Sequence, residues 1–457
     1  MQDKTSIIRD HILTKLESGA LRCGDKLPGA REIASETKIS FLMVQKALAT
    51  LTQEGLLRTE ARRGTYLADN LSNLPLHNCI SSFYSRYPWF SGFKELLGSR
   101  MPSIKIMKYD FNCLFEMRVT LDSQRRQDEY LDLSDVFANE FPDSEIFFKE
   151  PFRPFRTQSG KLIGVPFIFS PRVIFYNPAL LESANCPLPY PGWSWKDFIK
   201  SIRILRKVLP PNRVFNWELA ANMWMNFVFR AGGRLLAPEE ADPVWIDHPR
   251  TRCGLSHFAE LKDAIGVDDS YNIDDYDSAF ARGETAFALE PRQILPLMRA
   301  KSFDQWGVVP LPLLENGIEL NTQATDVICV RKGCQDKKLV AKLLRVLLSE
   351  EMQDFVGTAG YGLPVRKSSA FKGIDFSDSR DTLFLHEMPK MSAEYRLDSP
   401  ELSNLVQEGI NQIWRGGNTV ESATGELAQA VRTFLRIRGN ASQGQFSTAA
   451  VHSAASL

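Results

Sequence analysis

Apolar positions in the first seventy residues recur with a helical period and then give way to two short extended runs. Ile8, Ile12 and Leu16 share one face of a helix that ends before Gly19, a residue suited to a left-handed C-cap. Gly24-Asp25-Lys26-Leu27-Pro28 reads as a turn. A second helix is predicted over Ala30 to Thr37, with Gly29 as N-cap, Glu32 in the dipole-favoured first turn, and Ile33 and Ala34 turned inward. Ser40 then caps a third helix, on which Val44, Ala47, Leu48 and Leu51 fall at i, i+3, i+4 and i+7 and form one buried stripe. Its other face carries Leu42, Gln45, Lys46 and Ala49. A helix held by one face, with short polar and basic groups near its N-terminus on the other, has the geometry to enter a major groove. Leu56-Leu57-Arg58 and Thr65-Tyr66-Leu67 are predicted as strands joined by Ala61-Arg62-Arg63-Gly64, a hairpin with two guanidinium groups at its tip.

The pattern changes at Asp69. Residues 69–76 are polar, with Pro75 near their end, and read as a linker between a domain of residues 1–68 and a larger one of 77–438. In the larger part strand-like runs alternate with amphipathic helices, the mark of an α/β architecture. Strands are predicted at Lys105-Ile106-Met107, Val173 to Tyr176, Ala286 to Leu289, Gly307-Val308-Val309 and Asp326 to Val330. Helices are predicted at Trp195 to Val208, Leu339 to Leu348 and Val420 to Leu435. Residues 439–457 are small and polar and read as a disordered tail.

The first seventy residues resemble the winged helix of the GntR family of bacterial regulators. The likeness is carried by Gly24 to Pro28, Arg31-Glu32-Ile33-Ala34, Ser40, Val44, Ala47-Leu48, Leu51, Glu54-Gly55-Leu56-Leu57 and Arg63-Gly64-Thr65-Tyr66. It implies that the helix from Ser40 to Leu51 reads bases, that the wing touches the minor groove or backbone, and that such chains act as homodimers on near-palindromic operators. The DNA-contact candidates are Arg31, Ser40, Phe41, Leu42, Gln45, Lys46, Arg62, Arg63, Gly64 and Thr65. Phe41 and Gln45 stand where the family often has arginines, and Gly29 replaces a usual serine cap.

From about Trp89 to Leu435 the order of blocks resembles the sugar-binding class of extracellular solute-binding proteins of ABC importers. Gly160 to Pro166, Phe175-Tyr176-Asn177, Trp195-Lys196-Asp197-Phe198, Ala231-Gly232-Gly233, Gly283-Glu284-Thr285-Ala286, Trp306 to Pro312 and Gly360 to Arg366 carry it. The fold class implied is a winged helix-turn-helix followed by a bilobed, periplasmic-binding-protein-like α/β domain of type II with a hinged cleft. Aromatic, carboxylate, amide and guanidinium groups suit a polar ligand there. The candidate contacts are Phe167, Ser170, Arg172, Trp224, Glu290, Arg292, Asp326 and Tyr361. After the Gly283 to Ala286 block, Glu290-Pro291-Arg292-Gln293 stands where many sugar binders carry a stacking tryptophan. That substitution opens the site to a charged or smaller solute.

Composition sharpens this picture without changing it. At 457 residues, 44% hydrophobic and 24% charged, the chain is long enough for more than one globular core. Lys plus Arg and Asp plus Glu both number 55, so any attraction to nucleic acid is local; residues 1–70 hold eleven basic and nine acidic groups. No apolar run has the length of a signal-peptide core or a bilayer span, which gives a cytoplasmic expectation with no membrane partner. Seven scattered cysteines show no Cys-x-x-Cys pair and read as reduced thiols. The run Asp268 to Asp274 is like a calcium loop, but Ile273 replaces the turn glycine and Ala279 the bidentate glutamate, so a solvated loop is expected. With no catalytic motif, metal set or cofactor signature, an enzyme is not expected. The reading is a ligand-responsive regulator binding double-stranded operator DNA and a small effector of carbohydrate type. The competing reading is a solute receptor of transport type without a DNA-regulatory role.

Overall fold

Three helices and a hairpin form in the order that their patterns predict. They are α1 (Lys4–Glu17), α2 (Ala30–Thr37), α3 (Phe41–Gln53), β1 (Leu57–Glu60) and β2 (Gly64–Leu67). The computed structural model describes residues 4–71, 75–84, 87–108, 111–157, 159–267, 276–392, 395–415 and 418–453. The calcium-like run from Asp268 to Asp274 lies outside them. Val44, Ala47, Leu48 and Leu51 of α3 are buried, as their spacing requires. Gly29 and Ser40 occupy the two N-cap positions, but the Ser40 hydroxyl makes no capping bond. In the antiparallel hairpin Leu57 pairs with Leu67 and Glu60 with Gly64. Gly64 is required there: its φ is +126°, and a Cβ would come within 2.9 Å of the Lys26 Cε.

Farther along lie β3 (Leu76–Ser82), α4 (Phe90–Arg100), β4 (Lys105–Lys108), β5 (Cys113–Val119), β6 (Val165–Tyr176), β7 (Phe287–Pro291), β8 (Gly307–Val309), β9 (Asn321–Val330), β10 (Leu363–Pro364) and β11 (Met391–Ser392). The chain divides into two units. One takes Met1–Ser123, Asp128–Phe169 and Thr325–Ile374; the other takes Gln124–Gln127, Ser170–Ala324 and Asp375–Leu457. In the first, β3 runs parallel to both β4 and β5, with α4 as the crossover from β3 to β4. Strand β9 returns antiparallel beside β5, pairing Phe115 with Val330 and Val119 with Asp326. The sheet order is β10-β6-β9-β5-β3-β4.

The winged helix belongs to this first unit. Strand β3 begins at Leu76, inside the stretch read as linker, and Leu71 and Leu76 are both buried. One hydrophobic cluster runs from Ile8, Ile12 and Leu13 of α1 through Leu71 and Leu76 to Cys79 on β3, Met107 on β4 and Cys113 on β5. Polar contacts fix the same junction. The Lys105 ammonium donates to the Thr14 hydroxyl at 2.9 Å and lies 3.8 Å from Asp10 and 3.6 Å from Glu17. Arg9 donates to both carboxylate oxygens of Glu54, at 2.6 and 2.7 Å, tying α1 to the end of α3.

In the second unit β6 pairs antiparallel with β7 and β8. The helix Trp195–Leu205 starts with a reciprocal capping box between Ser194 and Asp197. Helices Ala221–Arg230 and Pro249–Ile265 touch so closely that a Cβ on Gly254 would meet the Val228 Cα at 2.5 Å. Arg230 is buried and donates to the Pro312, Leu311 and Asn321 oxygens at 2.8, 2.9 and 3.0 Å. Burial lowers its pKa to about 10, and the Glu387 and Glu319 carboxylates act against that fall. The last helix is Val420–Ser453, so the chain stays helical past position 439, where a polar tail was expected. Five of the seven cysteines are buried, Cys253 is half-buried and Cys23 is exposed.

The shared core predicts a coupled response. Met107→Ala should destabilise the first unit by about 2–5 kcal/mol, and amide exchange should quicken in α1 as well as in β3. A response limited to β3 would show that the winged helix holds together on its own.

Candidate nucleic-acid interface and solute site

Packing of one face of α3 leaves Phe41, Leu42, Gln45, Lys46 and Ala49 exposed on the other. All ten DNA-contact candidates lie in this region: Arg31, Ser40, Phe41, Leu42, Gln45, Lys46, Arg62 and Arg63 are exposed, and Gly64 and Thr65 half-buried. The Arg31 guanidinium of α2 sits 5.9 Å from the centre of the Phe41 ring. The wing presents Arg62 in the left-handed conformation, φ 63°, and Arg63 with 78% of its side chain in solvent, 3.7 Å from Glu60. Arg58 behind the tip is held over the Tyr66 ring at 4.7 Å and paired with Asp69 at 3.0 Å. It braces the hairpin, while Arg62 and Arg63 stay at the surface.

The solute-site candidates fall into two groups. Phe167, Asp326 and Tyr361 belong to the first unit. Phe167 is buried and stacks on Phe93 with ring centres 6.2 Å apart, while its carbonyl accepts from the Gln353 amide at 3.0 Å. Tyr361 packs against Tyr84, Tyr87 and Trp89 at 5.6, 5.3 and 4.3 Å. Asp326 is buried beside Tyr84; burial, and after it the Asp326 charge, push the Tyr84 phenol well above its usual pKa. The phenol therefore stays protonated, able to donate to an acceptor. Tyr84 and Trp89 were not singled out from sequence, although the aromatic density from Phe83 to Phe90 was a signal.

Ser170, Arg172, Trp224, Glu290 and Arg292 belong to the second unit. Strand β7 ends on Glu290-Pro291, with Val173 opposite Glu290 and Arg172 opposite Pro291. The Asn216 amide donates to one Glu290 oxygen at 2.5 Å, and an Arg172 nitrogen lies 3.9 Å from the other. Asn216 is itself fixed by accepting from the Leu289 amide at 2.8 Å. Such a carboxylate, held in place, can accept hydrogen bonds from hydroxyls. Tyr395 packs near Arg172, and burial pushes its phenol up to about 12. Arg292 is only 1% exposed; its backbone amide donates to the Ser170 hydroxyl at 2.9 Å and its guanidinium to Asp381 at 3.0 Å. Burial lowers its pKa, and Asp381 works against the fall. Trp224 is fully buried, and its indole nitrogen has no hydrogen-bond partner among the described residues.

The network thus brings Ser170, Arg172, Glu290 and Arg292 together and adds Asn216 and Asp381, which sequence reasoning missed. A cavity of about 290 Å³ in the same unit is lined by Leu295, Met298, Phe303, Trp306, Arg380 and Asp381. There Arg380 lies over the Trp306 ring at 4.2 Å and pairs with Asp378 at 2.7 Å. Among the described residues no cluster of His, Cys, Asp and Glu could hold a metal ion, and no helix is long and apolar enough to cross a membrane.

A winged helix followed by a solute-binding-protein fold is the class that these elements define. The model of the bacterial extracellular solute-binding proteins matches residues 125–354, and that of the gntR family of bacterial regulatory proteins matches residues 4–67. The chain belongs to the bacterial extracellular solute-binding protein family and carries a gntR-family domain at its N-terminus. Neither is a family of enzymes. Over 113 residues the chain is 26% identical to the uncharacterized HTH-type transcriptional regulator YcbG of Bacillus subtilis, covering 25% of this chain and 48% of that protein. It is 34% identical over 62 residues to the uncharacterized regulator YhcF of the same organism, 14% of this chain and 51% of that one. The chain thus spans about half the length of these curated relatives. Among solved structures, UgpB from Mycobacterium tuberculosis in complex with glycerophosphocholine is similar, with a TM-score of 0.64 at 16% identity over 79% of this chain and 99% of that one. So is a Thermotoga lettingae solute-binding protein bound to α-D-tagatose, with a TM-score of 0.66 at 16% identity over 78% and 98%. The GacH receptor of Streptomyces glaucescens gives 0.65 at 15% identity over 80% and 99%. At these identities the likeness is one of fold.

The burial of Arg292 sets an expectation for its partner. Asp381→Ala leaves a guanidinium in the interior without its carboxylate and should cost about 3–5 kcal/mol in urea unfolding, whereas a surface pair such as Arg415 with Glu408 should cost at most about 1 kcal/mol.

Proposed function

We propose that this chain is a ligand-responsive transcription regulator. Its winged helix binds double-stranded operator DNA, and its solute-binding-protein-like part senses a small polar solute of carbohydrate type. The observation that carries this reading is the junction: the helix presenting Gln45 and Lys46 shares one continuous core with the sheet of the solute-binding fold. A receptor serving transport alone has no use for an exposed, arginine-tipped wing built into that core. The gntR-family match and the solved sugar-binding neighbours support the two halves.

The proposed mechanism is thermodynamic linkage. A solute that binds one arrangement of the chain more tightly than another shifts the population towards it; if the arrangements differ in DNA affinity, solute and DNA affect each other reciprocally. Homodimerisation on a near-palindromic operator is part of the proposal, because half-sites mirror the symmetry of a winged-helix dimer. So is a cytoplasmic location, where DNA is accessible. For the solute the proposed contacts are Glu290 with Asn216 and Arg172, which the second unit itself brings together.

Two measurements test the halves separately. Lys46→Ala and Arg63→Ala should each weaken DNA binding and reduce the slope of log K against log salt by about 0.9; an unchanged slope in both would remove the proposed interface. A thermal-shift series with maltose, D-tagatose and glycerophosphocholine should find stabilisation worth about 2.7 kcal/mol at a hundredfold excess over Kd, reduced in Glu290→Gln. A stabilising solute that leaves DNA affinity unaltered would refute the coupling.

A further inference from the structure

The recognition helix opens on two large apolar side chains that the core does not use. Phe41 is 42% and Leu42 73% exposed, and neither belongs to the cluster that buries Val44, Ala47, Leu48 and Leu51. Their surroundings are cationic and polar. Arg31 stands over the Phe41 ring, and Gln45 and Lys46 continue the same exposed face one turn on, at the i, i+3 and i+4 spacing that makes side chains neighbours. Phe41 therefore positions a guanidinium at the edge of the face, while Leu42 stands farther into solvent.

The sequence of α3, from Phe41 to Gln53, contains no arginine, so the bidentate pairing of guanidinium with guanine is not available from this helix. What its first turn offers is apolar surface, and the first residues of a recognition helix are those that reach base edges. In the major groove thymine alone carries a methyl group, and Gln45 beside it has the amide geometry that pairs with adenine. Resting on the DNA-binding reading above, we infer that the Phe41-Leu42 edge reads thymine 5-methyl groups in each operator half-site. Specificity then comes from a methyl contact and an amide, while Arg31, Lys46 and the wing arginines supply attraction to phosphate.

The test uses the full-length chain and a duplex selected from a randomised library. Replacing single thymines by deoxyuridine deletes the methyl and keeps the base pair. At one or two positions per half-site the Kd should rise about fourfold, equivalent to about 0.8 kcal/mol for one buried methyl where 1.4 kcal/mol is tenfold. In Leu42→Ala, a change at an exposed position that spares the core, that penalty should shrink towards none. Lys46→Ala should retain it while lowering the salt slope. Binding that tolerates uracil at every thymine overturns the inference and leaves the DNA-binding reading standing. So does a Leu42→Ala variant whose only defect is weaker association between copies of the chain, for the edge is then a protein contact. If no duplex binds at any sequence, the DNA-binding reading falls and the methyl readout with it.

Discussion

Apolar side chains of the first helix and of three strands of the first unit bury one another, and the placement of α3 follows from that contact. Full burial of a leucine or methionine side chain is worth about 1.5–3 kcal/mol. Leu71, Leu76 and Met107 are all buried here, so separating α1 from the sheet would cost several times RT. Lys105 makes the junction directional by reaching Thr14, Asp10 and Glu17 across it. The segment after the wing is therefore no tether, and α3 takes its bearing from the sheet.

The second unit rests on a different principle, the neutralisation of charge out of water. Arg230 and Arg292 are both buried, and each is satisfied by groups that the fold brings from distant parts of the chain. Around Arg230 the Asn321 amide continues the chain of bonds to Glu387, which Lys390 pairs in turn at 2.8 Å. Such networks are costly when half-complete and rigid when complete. The same unit holds the Glu290 carboxylate in place through the Asn216 amide.

What was legible in the sequence was whatever repeats locally. The stripe from Val44 to Leu51 fixes α3 by its spacing, and the strands at Lys105, Gly307 and Asp326 stand out as short apolar runs between helices. What was hidden depends on partners far apart in the chain. Asp381 is 89 residues from the Arg292 that it neutralises, and Glu54 is 45 residues from Arg9, so neither pairing has a local signature. Residues 69–76 misled for a related reason: their polar composition marks a loop, but Leu71 and Leu76 within it are recruited by a core that only the tertiary structure creates. Ser40 sits at its predicted cap position yet leaves its hydroxyl uncommitted to the helix, a detail of geometry that residue type does not encode.

The welded junction also constrains how such a protein can be rearranged. Cutting behind the hairpin, at position 68, would bare the flank of α1 that Leu76, Cys79 and Met107 cover and leave both fragments with sticky surfaces. A chimaera that exchanges the solute-binding-protein fold would have to carry β3, β4 and α4 with its gntR-family domain. Any recombination that joined this winged helix to a different sheet would have to rebuild that common interior.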